Sequence, residues 1–156
     1  MGNKLKTITM GWWSTDIMGG DTPLDYKDEI FGICEVDEFP EGGGRAELTA
    51  KDLEANLSKI LEFLNENRWG EAEIGYQVLA VLMMKAGARI DLPLKVRMME
   101  ATAADEWAQE DEDRAAAING LYAALKIYDG KSPIVIRSRG LFEVMVEKLG
   151  EGTDQN

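Results

Sequence analysis

The apolar positions of residues 70–87 cover nearly the whole circumference of a helix. The strongly polar interruptions in GEAEIGYQVLAVLMMKAG are Glu71, Glu73, Gln77 and Lys85. At about 100° per residue, no single exposed face can be drawn through those four positions. A membrane span needs about 20 apolar residues, which is more than this stretch contains. We therefore predict a core helix over residues 71–86 that its neighbours enclose on most sides.

Two amphipathic segments are predicted to precede this core helix. The first has a cap at Asp21 or Thr22, begins at Pro23 and runs to about Glu35. Its apolar side consists of Tyr26, Ile30, Ile33 and Cys34. The second follows a cap at Thr49 and ends where Asn65 begins the next link. Its apolar stripe has helical spacing and consists of Leu53, Leu57, Ile60, Leu61 and Leu64.

Two more helices are predicted after Gly87, the glycine at which the core helix should end. One extends from Pro93 to about Trp107, and its inward positions are Leu94, Met98, Met99, Thr102 and Ala103. The other begins at Ala115 and stops at Gly130, with a stripe of Ile118, Leu121, Tyr122, Leu125 and Tyr128. The acidic run between them, residues 109–114, is either a linker or an exposed first helical turn.

The C-terminal region combines a strand pattern with a helix-start pattern. The sequence PIVI at residues 133–136 has the β-branched character of a short strand, while Ser132-Pro133 is also a helix-start pair. A final short helix is predicted over Leu141 to Leu149. The expected fold is mainly α, a single bundle of about five or six helices over residues 10–149. Residues 1–9 form a basic extension outside it, and residues 150–156 a loose tail.

Composition excludes several classes of chemistry. The chain has one cysteine, Cys34, and no histidine. An internal disulfide, a cysteine zinc site and any histidine-dependent catalytic triad are therefore excluded. We expect no cofactor. The N-terminus lacks the apolar core of a signal peptide, so a cytoplasmic protein without membrane association is expected.

Acidic residues are concentrated in two segments of a chain whose net charge is −12. Residues 11–44 hold nine acids against one lysine, and residues 100–113 hold seven acids and no base. Because phosphates attract surplus lysine and arginine, this balance argues against direct nucleic-acid binding. Acids also favour helix first turns and solvated faces without any further role. The candidate binding residues are Trp12, Asp16, Asp21, Asp25, Asp28, Glu29, Asp105, Glu106 and Asp111.

Three functions are compatible with these residues. The first is a non-enzymatic protein that binds a basic partner through its acidic N-terminal face, with a partly exposed Trp12 as an aromatic anchor. The second is an inhibitor that imitates the charge of DNA toward a nucleic-acid-binding protein. The third is an enzyme whose carboxylates at Asp16, Asp21 and Asp25 hold Mg²⁺ or Ca²⁺, although their spacing is not that of an EF-hand.

One stretch resembles a known family. From Met10, the sequence MGWWSTDIMGGDTPLDY is similar to the opening of a widespread uncharacterised bacterial domain family, approximately M-G-x-W-G-T-G-I-F-x-N-D-x-A-x-D-W. The matching positions are Trp13, Thr15, Ile17, Asp21 and Asp25, with Met18 and Tyr26 as conservative replacements. Ser14 and Asp16 replace glycines of the pattern, and Gly20 replaces its asparagine. The resemblance implies a compact, mostly helical domain and a start at Met10, and it brings no activity or site residue.

Overall fold

Six α-helices, one 3₁₀ turn and two short strands form the part of the chain that the computed structural model describes, residues 17, 21–38, 40–42, 47–66, 72–136 and 142–144. The helices are α1 (Asp21–Ile33), α2 (Ala50–Ala55), α3 (Leu57–Glu66), α4 (Ala72–Ala86), α5 (Leu92–Ala103) and α6 (Glu112–Ile127). The 3₁₀ turn is Trp107–Gln109, and the strands are β1 (Ile134–Ile136) and β2 (Phe142–Val144). The prediction of a mainly α bundle is confirmed.

Helix α4 is the centre of the fold, as its all-round apolar pattern predicts. It contacts α1, α2, α3, α5, α6 and β1. Nine consecutive or near-consecutive positions from Gly75 to Met84 are buried, and Leu82 is the exception at half-buried. A helix without a polar face has to be covered on most sides, and the amphipathic neighbours supply that cover.

The contact between α1 and α4 depends on a glycine. Tyr26 and Ile30 are buried on the inner side of α1, as predicted. The helix begins at Asp21 instead of Pro23. A Cβ added at Gly75 would lie 2.6 Å from Leu64 Cδ2 and 2.8 Å from Tyr26 Cε1. A larger residue at this position would therefore push α1 and α3 away from α4.

The prediction of one continuous helix after Thr49 is wrong at Asn56. The cap itself is confirmed: Thr49 Oγ1 accepts from the Asp52 N–H, and the Asp52 carboxylate accepts from the Thr49 N–H, both at 3.0 Å. Asn56 then leaves helical geometry, with φ −109° and ψ 10°. Its side chain donates to the Asp52 carbonyl at 2.9 Å. Asparagine side chains compete for backbone groups in this way, and the helix divides into α2 and α3.

Helix α5 ends four residues earlier than predicted. Its start is capped by Asp91, whose Oδ1 accepts from the Leu94 N–H at 3.1 Å. At the other end, Ala104 is the C-cap, and the Asp105 side chain already accepts from the Ala108 N–H at 2.9 Å. The 3₁₀ turn then has its own backbone bond, from the Gln109 N–H to the Glu106 carbonyl at 3.1 Å, so the predicted extension of α5 to Trp107 is wrong. Ala103, expected to face inward, is exposed.

A β-hairpin replaces the predicted final helix over its described residues. Strands β1 and β2 pair antiparallel, with Ile134 opposite Val144 and Ile136 opposite Phe142. The strand predicted near residues 133–136 is confirmed, and helix at 142–144 is contradicted, because these residues complete a ladder with β1. The remainder of the predicted helix lies outside the described residues. β1 packs on α4 and α6, which buries Ile134.

Within the ranges given above, no helix combines the length and the apolar character needed to cross a lipid bilayer.

Candidate functional site

A fully buried ion pair joins the start of α6 to the segment that follows α5. Arg114 Nη2 lies 2.6 Å from Asp105 Oδ2, and the two side chains are only 0% and 4% exposed. The Arg114 Nε also donates to both carboxylate oxygens, at 3.2 and 3.3 Å. This fork-shaped contact gives the pair a defined orientation, as expected for an arginine and a carboxylate.

Gln77 of α4 completes the buried network. Its Oε1 accepts from Arg114 Nη2 at 2.7 Å, and its Nε2 donates to Asp105 Oδ2 at 3.0 Å. Burial alone would raise the pKa of Asp105, but the hydrogen bonds from Arg114 and Gln77 outweigh it and hold the pKa below the usual value of 3.8. Asp105 therefore stays ionised inside the protein, and three elements are tied together at one point.

The network fixes a segment that we call the Trp107 loop, residues 105–111. Asp105 Oδ1 accepts from the Ala108 N–H, the Glu110 N–H donates to the Trp107 carbonyl at 3.0 Å, and Asp111 caps α6. The Arg114 guanidinium carbon lies 4.8 Å from the centre of the Trp107 ring, and Trp107 remains 37% exposed. The loop therefore presents an indole whose inner face is held by a buried cation.

Exposed carboxylates lie on both sides of Trp107 in the sequence. Glu106 precedes it, Glu110 follows one turn later, and Glu112 and Asp113 occupy the first turn of α6. Among the described residues, no lysine or arginine forms an ion pair with any of these four acids. The Trp107 loop and the α6 first turn thus form an acidic surface with one aromatic group in it.

No family model, curated protein or solved structure matches this chain. The resemblance of residues 10–26 to a bacterial family stays a prediction, since no matching protein tests it. Function therefore has to be inferred from the geometry of the sites themselves.

The predicted residues of α1 form a second acidic surface. Asp25, Asp28 and Glu29 are exposed on that helix, and we call them the α1 acidic face. Partial burial, followed by the neighbouring Glu38 carboxyl, raises the pKa of Asp28 above 3.8. Glu38 in turn lies 2.6 Å from Lys27 Nζ. Trp12, Asp16 and the Asp21 side chain lie outside what the structure describes.

Asp105 does not belong with the surface acids among which its sequence neighbours placed it. It is buried and belongs to the network with Arg114 and Gln77, whereas Glu106 is exposed and Asp111 is the half-buried cap of α6. The sequence interpretation also missed Arg114 and Gln77. A signal existed for Arg114, because it lies four residues before Ile118 on the stripe that buries α6.

The described ranges contain an open cleft but no cluster of metal-binding side chains. No group of three or more cysteine and carboxylate side chains lies close enough together there to hold a metal ion. An open cleft of about 240 Å³ is lined by Glu54, Leu57, Arg89 and Asp91. None of the predicted binding residues lines it, so the cleft is separate from both acidic surfaces.

Proposed function

We propose that this protein is a non-enzymatic binding module that recognises a partner protein with a basic surface. The observation that supports this function is the lack of ion pairs at the four exposed acids near Trp107, Glu106, Glu110, Glu112 and Asp113, within the described residues. The four acids near Trp107 have no cationic partner within the described residues, and the three ion pairs of that part lie elsewhere or inside.

Unpaired carboxylates on one surface repel one another and attract cations. The negative potential of such a surface raises the association rate with a basic partner and disfavours partners of like charge. Nucleic acid and anionic lipid head groups are both negatively charged, so neither suits this surface. A protein that presents lysine and arginine is the class of macromolecule that fits.

The proposal is tested with a defined probe and charge-matched variants. The probe is a labelled peptide rich in arginine and lysine, and its neutral counterpart carries glutamine at those positions. Binding is measured by fluorescence anisotropy between about 50 and 500 mM salt, a range over which screening of exposed charges increases strongly. We expect binding of the basic peptide only, with affinity that falls steeply as salt rises.

Charge-matched variants distinguish binding at a defined surface from attraction by net charge alone. Glu106→Gln with Glu110→Gln alters the Trp107 loop, and Asp25→Asn with Glu29→Gln alters the α1 acidic face. The control, Glu62→Gln with Glu73→Gln, removes the same charge from exposed acids on α3 and α4. Loss of affinity in one of the first two variants but not in the control supports the proposal. Equal loss in all three, or no binding at low salt, would overturn it.

The identity of the partner distinguishes DNA mimicry from the general binding function. If a captured natural partner is a DNA-binding protein and duplex DNA displaces this protein from it, the function is that of a DNA-like inhibitor. If duplex DNA has no effect, mimicry is excluded and the general binding function stands.

A further inference from the structure

We infer that Trp107 is the anchor of the basic partner, and that the outer face of its indole receives an arginine side chain from an extended segment of that partner. This inference rests on the proposed function and locates the contact within the Trp107 loop. It identifies the docking group by its chemistry, a planar guanidinium that can stack on a ring and bind carboxylates at its edge.

The geometry leaves this ring open to a partner. Tryptophan offers the strongest cation-binding face of the aromatic side chains, and Trp107 is 37% exposed. Its inner face is already occupied by Arg114, whose carbon lies 4.8 Å from the ring centre. Because Asp105 pairs with Arg114 at 2.6 Å, the inner cation is neutralised and does not repel a second cation outside.

The loop is also held in place before a partner arrives. Hydrogen bonds from Ala108 to Asp105, from Glu110 to Trp107 and from Arg114 to Asp111 fix its backbone. A buried ion pair loses solvation and is weak evidence of stability, but it can define one conformation. A ring that is already positioned loses little conformational freedom on binding, which favours affinity.

Charge complementarity selects the occupant. Glu106 and Glu110 lie on either side of Trp107 in the chain, and residues 105–113 contain no lysine or arginine. An apolar partner would leave these carboxylates desolvated without a counter-charge, which is costly. An arginine places its ring-like plane on the indole and its N–H groups toward the carboxylates, so both features of the surface are used.

The test uses three peptides of identical length, whose basic positions are all arginine, all lysine or all citrulline. Citrulline keeps the planar shape and removes the charge. Anisotropy titrations compare the native protein with Trp107→Phe, Trp107→Leu and a matched control, Tyr122→Leu. Tyr122 is an aromatic residue of α6 with the same 37% exposure. We expect the arginine peptide to bind best and the citrulline peptide not to bind.

Trp107→Leu should weaken binding of the arginine peptide by about fivefold to thirtyfold, the upper part of the range for cation–π contacts, and Trp107→Phe should weaken it by less. Tyr122→Leu should change affinity by less than about twofold, since it lies outside the loop. Circular dichroism and urea unfolding establish that each variant is folded.

A second measurement needs no variant protein during the titration. In a proton–nitrogen spectrum, the indole N–H of Trp107 is assigned from the signal that Trp107→Phe removes. That signal should shift more than the other indole signals when arginine peptide is added to the native protein.

The outcomes separate the two proposals. If Trp107→Leu binds within about twofold of the native protein, and the Trp107 indole signal does not move, the anchor is wrong although binding through carboxylates still stands. If the native protein binds neither basic peptide at low salt, the proposed function itself fails.

Discussion

Arg114 and Asp105 form an ion pair at 2.6 Å in the interior, and Gln77 is hydrogen-bonded to both of them. The cost of removing two charges from water is large, and the hydrogen bonds within the pair and to Gln77 offset it. Removal of either partner would leave a buried charge without a counter-charge. This relationship makes the network sensitive to substitution of either charged residue.

Substitution of one partner should be strongly destabilising. Arg114→Met leaves Asp105 buried and unpaired, and we expect a loss of about 3 to 5 kcal/mol in the free energy of unfolding, measured with urea. Glu106→Gln is the control, because this neighbouring acid is exposed and should change stability by less than about 0.5 kcal/mol. In a double-mutant cycle, Asp105→Asn with Arg114→Met should cost less than the sum of the single losses. Strict additivity would show that the pair is not coupled.

The enclosure of α4 is tested by two leucines three residues apart. Leu79 is fully buried and Leu82 half-buried. Leu79→Ala should therefore lower the free energy of unfolding by about 2 to 5 kcal/mol, because a cavity remains in a packed core. Leu82→Ala should cost clearly less. Equal losses, or the reverse order, would contradict the way α4 is oriented among its neighbours.

The features predicted correctly from sequence are those that depend on local or periodic patterns. The α4 span follows from its continuous apolar positions, and the Thr49 cap from a bond between residues three apart. Gly87 ends α4 with a φ of 74°, a conformation that favours glycine.

The breaks at Asn56 and after Ala103 were missed although their causes are local, whereas other missed features depend on partners farther apart in the chain. Asp105 resembles its acidic neighbours in sequence, and only Gln77, 28 residues away, and Arg114 make it an interior residue. The pairing of β2 with β1 likewise overrides the local pattern of residues 142–144. Long-range contacts of this kind can be recognised only when the fold is known.

Two glycines test how close α1 and α4 have to be. Gly75→Ala introduces a Cβ at 2.6 Å from Leu64 Cδ2, and this overpacking should destabilise the protein by about 1 to 3 kcal/mol. Gly32→Ala is the matched control in α1, since its added Cβ meets nothing within 4 Å. There the loss of unfolded-state freedom should stabilise the protein by about 0.4 to 1 kcal/mol. Thermal melts of both variants measure the two opposite changes in stability. If Gly75→Ala stabilised the protein, α1 and α4 would be able to separate freely.

Acid should weaken the turn before β1. Asp129 accepts hydrogen bonds from the Lys131 N–H at 2.9 Å and the Ser132 N–H at 2.7 Å, and these bonds lower its pKa to about 2. A lowered pKa stabilises the folded state above the unfolded value of 3.8, and this contribution disappears as pH falls toward 2. Asp129→Ala should therefore lower the urea midpoint at pH 7, and the difference from the native protein should shrink in acid. If the difference in urea midpoint does not depend on pH, the effect of Asp129→Ala comes from the shape of the side chain and not from its charge.

Asp28 should show the opposite dependence on pH. Its pKa is raised, first by partial burial of the carboxyl and then by the hydrogen bond and charge of Glu38, which lies against Lys27. A raised pKa means that the folded state favours the protonated form. The stability gained in this way is complete below pH 3.8 and is lost as pH rises through the folded pKa.

Asp28→Asn keeps a neutral side chain at every pH, so its urea midpoint should exceed that of the native protein at pH 7 and approach it in acid. If Asp28→Asn is less stable than the native protein at pH 7, the Asp28 carboxylate is stabilised by its surroundings, which contradicts a raised pKa for Asp28.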